Sequence, residues 1–349
     1  MKRFKATVMG GSGFAGAELV RRLLLHPDVE LVRVGAADHV GEPLSSALPH
    51  LEGLTELAFE NLSPREAARD VDVVLMGLPH KASVELVEAA IETGVRVIDL
   101  SGAFRLKDPE AYRRFYGEAH SRPDLLGEFV YGLPELNRER LKGARWVASP
   151  GCFATCIELG LLPFARAGLL AGPIHTVGVT GSSGSGVTPT PTTHHPVRAV
   201  NLRTYKPLDH QHVPEIERVV REAGATDPLL SFIPVSAPLT RGIFATSFFE
   251  VPDSVAPEAL SETLAAAYRH ERFIRVPKKR QPEVVAVAGS NYAEVGLVAG
   301  EVREGRRVVS VFSALDNLIK GGAGQAIQNM NLMLGLPEHT TLEDPGGYP

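Results

Sequence analysis

The feature that most constrains this chain is a strand-like run, Phe4–Met9, that breaks into Gly10-Gly11-Ser12-Gly13-Phe14-Ala15-Gly16 and opens at once into an amphipathic stretch over residues 17–25. Glycines at Gly10, Gly13 and Gly16 let the backbone turn sharply and approach a pyrophosphate, whose charge then sits at a helix N-terminus. A strand before the loop and a helix after it are the context such a loop needs, and they commit the region to a βαβ unit with a parallel sheet. The whole segment Gly10, Gly11, Ser12, Gly13, Phe14, Ala15, Gly16 is therefore a candidate dinucleotide cradle. Asp38 lies 22 residues beyond Gly16, just past the second apolar run at 31–36. An acid there accepts hydrogen bonds from the ribose of NAD and repels a 2′-phosphate. The competing reading of Asp38 is a solvated loop aspartate.

Strand-like and helix-like stretches go on alternating to residue 148, with runs at 71–75, 81–93, 95–99 and Trp146–Ala148. This predicts a Rossmann-like, doubly wound parallel sheet. Beyond Cys152 the rhythm changes to apolar runs at 174–180, 230–235, 244–251, 284–288, 295–302 and 308–312 with few helices between them. That pattern predicts an α+β domain with a largely antiparallel sheet. Residues 317–334 repeat apolar side chains at helical spacing (Leu318, Ala326, Met330, Leu334) and are expected to pack back on the first domain. The expected domains are thus 1–151 plus 317–349 for dinucleotide binding, and 152–316 for substrate and oligomerisation.

Charge and composition narrow the function. With 36 Lys+Arg against 41 Asp+Glu the net charge is −5, which excludes a strongly basic nucleic-acid binder. Apolar stretches are broken within ten residues, short of the roughly 20 that a membrane span needs. The N-terminal residues run straight into a strand without an apolar signal core, so a cytoplasmic location is expected. Only two cysteines are present, Cys152 and Cys156, too few for a disulfide framework or a thiolate zinc site.

Ser149-Pro150-Gly151-Cys152 sits where a strand gives way to a helix, and a thiol there feels the positive end of the helix dipole. Cys152 is the nucleophile candidate; Cys156, one turn further in, reads as a small buried hydrophobe. Residues 193–212 hold four of the twelve histidines, His194, His195, His210 and His212, together with Arg198, Arg203 and Lys206 and a single acid, Asp209. Such a segment suits an anionic substrate. His210 and His212 stand at the entrance of a helix marked by Pro214 in its first turn, and either imidazole can carry a proton near neutrality. No carboxylate or thiol pattern completes a metal site around these histidines, so no metal is expected.

Taken together the motifs resemble the N-acetyl-γ-glutamyl-phosphate reductase family, relatives of the aspartate-semialdehyde dehydrogenases. The likeness covers nearly the whole chain. It rests on the glycine loop, on Asp99-Leu100-Ser101-Gly102-Ala103-Phe104-Arg105-Leu106, on Tyr131-Gly132-Leu133-Pro134-Glu135-Leu136-Asn137, on Pro150-Gly151-Cys152, on His210-Gln211-His212-Val213-Pro214-Glu215, and on Asp316-Asn317-Leu318-Ile319-Lys320-Gly321. The resemblance implies a reductive dephosphorylation: an acyl phosphate and a reduced nicotinamide nucleotide give an aldehyde and inorganic phosphate through a cysteine thioester. It implies an acid/base on His212 first and His210 second, and substrate contacts at Ser101 and Arg105. It further implies cofactor contacts at Ser182, Ser183 and Gly184 and at Asn317, Lys320 and Gly321, with a homo-tetramer or homo-dimer as the assembly.

Three departures from the family pattern matter. Ala36-Ala37-Asp38 stands where relatives often carry Ser-Arg for the NADP 2′-phosphate, so NADP is the family expectation and Asp38 its local contradiction, leaving NAD open. Gly102-Ala103 replaces the usual Ala-Asp before Phe-Arg-Leu. Thr193-His194-His195-Pro196, followed by Arg198, Arg203 and Tyr205-Lys206-Pro207, is more similar to the subfamily that reduces α-aminoadipate or glutamate phosphates attached to a small acidic amino-group carrier protein. The leading substrate is N-acetyl-γ-glutamyl phosphate, with the carrier-linked phosphate as the alternative. A catalytically silent nucleotide sensor with a merely structural Cys152 is the alternative of another class.

Overall fold

A computed structural model describes residues 2–348. They divide into two compact units, residues 2–151 with 322–344, and residues 152–321 with 345–348.

In the first unit seven strands, β1 (Phe4–Met9), β2 (Val29–Gly35), β3 (Phe59–Glu60), β4 (Val73–Met76), β5 (Arg96–Asp99), β6 (Val130–Tyr131) and β7 (Trp146–Ala148), form one sheet in the order β3-β2-β1-β4-β5-β7-β6. Every pairing in it is parallel. The order reverses between β1 and β4, which makes the sheet doubly wound with its switch point beside the glycine loop. Connections run through α1 (Phe14–Leu24), α2 (Pro64–Ala68), α3 (His80–Thr93), α4 (Pro109–Tyr116) and α5 (Pro134–Leu141). Strands covered on both faces read as continuous apolar runs, and all four residues of β4 are buried. Helix ends follow local chemistry. Ser63 and Glu66 close a reciprocal capping box on α2, while Gly94 ends α3 in the left-handed conformation.

The second unit opens with α6 (Cys152–Arg166) and continues β8 (Ala171–Thr180), α7 (His195–Arg198), β9 (Arg203–Thr204), α8 (Val213–Glu222), β10 (Thr226–Ser236), β11 (Ile243–Pro252), α9 (Pro257–Tyr268), β12 (Ile274–Arg275), β13 (Ala293–Arg303) and β14 (Arg306–Leu315). Its sheet runs β12-β13-β14-β11-β8-β10-β9. It is mixed, antiparallel except where β10 joins β8 and β12 joins β13. One face packs on α6, α8 and α9. Strict alternation along β11 buries Ile243, Ala245, Ser247, Phe249 and Val251 on that side. The opposite face shows Val177, Ile233, Phe248, Val298 and Val308, each more than a third exposed.

Two expected elements differ. Residues 284–288 are not a strand: Val284–Ala286 forms a 3₁₀ turn closed by the Ala288 N–H on the Val284 carbonyl. A side chain on Gly242, at φ +106°, would strike Val284, so the valine that reads as a strand residue instead plugs the space left by a glycine. The helix expected over 317–334 is also interrupted. Asp316 accepts the N–H groups of Leu318 and Ile319, a π-type turn covers Ile319–Ala323, and only α10 (Gly324–Met333) is regular. Helix α10 packs on α1 and α5 of the first unit. The tail beyond it is pinned to α1, where Arg22 donates to the Thr341 carbonyl and the Asp344 carboxylate and the His26 ring meets the Asn331 side chain at 3.0 Å. No helix among the described residues is long and apolar enough to cross a membrane.

Candidate active site

The glycine loop is as crowded as its sequence implies. Gly10 has φ +80°, and a Cβ on it would lie 2.5 Å from the Gly77 carbonyl oxygen; one on Gly16 would lie 2.1 Å from the Gly10 oxygen and one on Gly11 2.1 Å from Val34. Any larger residue would push the loop away from Gly77 and from Val34 on β2. Gly13 caps α1 without a side-chain hydrogen bond, so the helix N-terminus is left to an external acceptor. This is a cradle that fits a pyrophosphate. At its rim the Ser12 hydroxyl donates to Asp38 at 2.5 Å, and that bond holds the Asp38 carboxyl below the usual carboxylate range.

Ser101 and Arg105 lie at the carboxyl end of β5 and are turned inward. The Ser101 hydroxyl and N–H both donate to the buried Asp99 carboxylate at 2.8 Å, and Ser101 Oγ accepts from Ala103 N–H. Arg105 donates to the carbonyls of Ser149, at 2.7 Å, and Leu100, at 2.6 Å. These bonds tie the β5 loop to the segment that leads into Cys152. Burial pushes the Asp99 carboxyl up.

Cys152 is half-buried as the first residue of α6, with the fifteen-residue helix behind it. The N–H groups of that first turn aim partial positive charge at the thiol. Gly321 presses on its flank, and a Cβ there would stand 2.9 Å from Cys152 Cβ. Cys156 is fully buried, its thiol donating to the Ser313 carbonyl at 3.4 Å, and burial pushes its pKa far up. It is a core residue.

The histidine pair stands in the same unit, grouped around Phe153. The Phe153 ring meets His210 edge-on at 5.8 Å, His212 at 6.5 Å and Phe232 at 5.1 Å. Gly178 on β8 makes this possible, since a Cβ there would lie 2.5 Å from the Phe153 ring and 2.9 Å from that of Phe232. The two imidazoles differ. His210 Nδ1 accepts the His212 backbone N–H at 3.2 Å, and burial together with His212 lowers its pKa to about 3, so it is neutral at physiological pH. His212 is the N-cap residue of α8, which has Pro214 in its first turn and the fully buried Glu215 one position further.

The cationic segment also has internal order. His194 and His195 are exposed at the start of α7, and Lys206 donates to the Gln211 side chain at 3.2 Å. Arg198 is buried, donates to the Thr180 carbonyl at 3.0 Å, and is lowered by that burial. Neither Arg198 nor the half-buried Arg203 has a carboxylate partner among the described residues, and the Nε of each is buried without a hydrogen bond. Tyr205, half-buried two residues beyond Arg203, is not among the residues that motif reading singles out. Its ring meets His210 at 5.9 Å; burial, then the charge on Cys152, pushes its phenol up. The only signal was its place in Tyr205-Lys206-Pro207.

Around the remaining expected contacts, Ser182–Ser185 forms a single 3₁₀ turn after β8. Asn317 clamps it, donating to Ser183 Oγ at 3.0 Å and accepting from Gly242 N–H at 2.8 Å. Gly184 is exposed, whereas Lys320 is wholly buried in the turn next to Gly321. Among the described residues no group of three metal-ligating side chains comes together.

Comparison with known proteins fits this geometry. Residues 5–144 match the family model for the NAD-binding domain of semialdehyde dehydrogenases, and residues 152–317 that for their dimerisation domain. The fold is also that of the aspartate semialdehyde dehydrogenase II of Vibrio cholerae, with a TM-score of 0.72 at 15% identity over 96% of this chain and 99% of that one. A nicotinamide-nucleotide domain and a second domain that opens on a thiol at a helix start, matched in one chain, thus define a semialdehyde-dehydrogenase-type oxidoreductase. More narrowly, the N-acetyl-gamma-glutamyl-phosphate reductase of Thermus thermophilus is 44% identical over 98% of this chain and 99% of its own. A putative [LysW]-L-2-aminoadipate 6-phosphate reductase of Thermomicrobium roseum is 42% identical over 98% of each. The chain belongs to the N-acetyl-γ-glutamyl-phosphate reductase family, in the broad sense that includes the LysW-linked enzymes.

Proposed function

We propose that this chain reduces an N-blocked γ-glutamyl phosphate to the corresponding semialdehyde. The observation that carries the reading is the set built into one unit: a half-buried thiol at the start of α6, a histidine at the entrance of α8, and two guanidinium groups without acid partners. The Cys152 thiolate attacks the acyl carbon, the bond from that carbon to the phosphate oxygen breaks, and inorganic phosphate leaves. Arg198 and Arg203 suit the departing dianion, since planar guanidinium forks pair with phosphate oxygens. A nicotinamide nucleotide, when bound, supplies the hydride that takes the acyl group to the aldehyde level. His212 gives a proton to the oxygen of the resulting adduct and takes it back as the carbon–sulfur bond breaks, freeing the semialdehyde and the thiolate. His210, neutral and engaged as an acceptor, positions His212. We assign Ser101 and Arg105 to positioning the segment before Cys152.

The Gly10–Gly16 loop would hold the pyrophosphate, with Ser182, Ser183, Gly184, Asn317, Lys320 and Gly321 as the further cofactor contacts. NADP is the family expectation; the Asp38 carboxylate opposes a 2′-phosphate and favours NAD. The assembly we propose is a homo-oligomer through the open apolar face of the second sheet, in the cytoplasm.

Running the reaction backward tests the reading: phosphate-dependent reduction of NADP and NAD in parallel, with N-acetyl-glutamate γ-semialdehyde and a Cys152→Ser control. Nucleotide reduction that needs both phosphate and Cys152 is the expected result. Nucleotide binding without turnover would pass the lead to a carrier-linked substrate. That second reading is favoured by the surface around α7, where the exposed Val187, Val197, Val200 and Leu202 accompany His194, His195 and Lys206. An acidic carrier protein would meet both charge and apolar area there. Inertness of Cys152 toward alkylation, together with the absence of turnover on either substrate, would leave a silent nucleotide sensor.

A further inference from the structure

A cavity of about 860 Å³ lies between α9 and the β12–β13 edge of the second sheet, lined by none of the residues assigned above. Its size is that of a small-ligand pocket. The floor is apolar and fixed: Leu264, Tyr268 and Ile274 are all buried, and the Tyr268 hydroxyl donates away from it to the Leu159 carbonyl. The rim is the run Val276-Pro277-Lys278-Lys279-Arg280, with Arg275 just before it. Both arginines are already engaged. Arg280 makes a two-pronged ion pair with the buried Glu294, both contacts at 2.6 Å, and Arg275 stacks 3.8 Å over the Tyr292 ring. Across the mouth Arg269 pairs with Glu262 at 2.8 Å.

Lys278 and Lys279 are different. Both line the cavity, both are exposed, and neither forms an ion pair among the described residues. Anchored residues on either side present these two adjacent like charges beside an apolar floor, and their mutual repulsion is relieved by an anion. We propose that this cavity is a second anion site, taking a small organic phosphate whose apolar body covers the floor while Lys278 and Lys279 hold the charge. The proposal is independent of the reaction assigned to Cys152.

Titration calorimetry tests it on the full chain saturated with nicotinamide nucleotide, so that the glycine loop is filled, with inorganic phosphate and phenyl phosphate as probes. Phenyl phosphate is expected to bind at least tenfold more tightly than phosphate. The charge-reversed double variant K278E/K279E is expected to weaken it more than tenfold. Ala265→Trp, at an exposed position of α9 that lines the cavity, is expected to remove the advantage of the phenyl group and to keep the fold, checked by circular dichroism. Arg198→Ala should leave phenyl phosphate binding unchanged. Equal affinities for the two anions, or binding that survives K278E/K279E and is lost in Arg198→Ala, would overturn the proposal.

Discussion

The two imidazoles before α8 share a motif and differ in chemistry. His210 is held neutral by burial beside His212, so we propose that His212 carries the catalytic proton. His212→Asn is expected to lower turnover by about 10²–10⁴-fold. His210→Gln, which keeps an oxygen for the His212 N–H, should retain most of the turnover; a loss as large as that of His212→Asn would exchange the two roles. Cys152→Ser should abolish turnover and leave nucleotide binding nearly intact, because a serine hydroxyl is scarcely ionised at neutral pH. For Asp38→Ala the expected change is a shift of preference toward NADP, read as the ratio of kcat/KM for the two nucleotides. An unchanged ratio would remove Asp38 from cofactor choice. Such residues were legible because their chemistry is local: a thiol at a strand-to-helix turn, glycines after a strand. Tyr205, Gly178 and the partnerless Nε atoms of Arg198 and Arg203 were not, because each acquires its role from a neighbour distant in sequence.

At the scale of elements, strands of six or more residues and the long helices were readable from periodicity, while β3, β6, β9 and β12, two residues each, carry no period to read. Residues 284–288 misled because apolar spacing looks the same whether valines join a ladder or fill a hole beside Gly242. Gly178→Ala should cost about 1–3 kcal/mol by forcing the Phe153 ring off its site. It should also disturb the His210–His212 pair, seen as a displaced pH–rate profile. Helix packing also sets a pH dependence. Burial lowers the pKa of His26, His80, His120 and His210 below the ordinary value of 6.5. The unfolded chain therefore binds protons that the folded one refuses. The stability tied to these rings is complete above about pH 6.5 and declines as pH falls toward their folded values, about 3 for His210. The buried Asp99, shifted upward, offsets part of the loss. Urea midpoints at pH 7.5 and 5 measure this, and a midpoint that does not fall on acidification would show that those rings are hydrated.

For the whole molecule, the proposed oligomer is tested at the open face of the second sheet. Val177, Ile233, Phe248, Val298 and Val308 form an apolar area on a sheet whose other side is already covered. Phe248→Glu with Val298→Lys is expected to dissociate the oligomer, read by sedimentation, while nucleotide binding to the first unit persists; an unchanged sedimentation coefficient would place the interface elsewhere. The first unit has another property with a consequence in the cell. Its sheet is complete by residue 148, but helix α10, which packs on α1 and α5, and the tail that Arg22 and His26 hold come from residues beyond 321. The intervening unit is nearly continuous in sequence. During vectorial synthesis the second unit can therefore close on itself first, while the nascent dinucleotide sheet waits, one flank bare, for helix α10 to leave the ribosome after it. A truncated product ending before α10 would present that flank to chaperones and proteases.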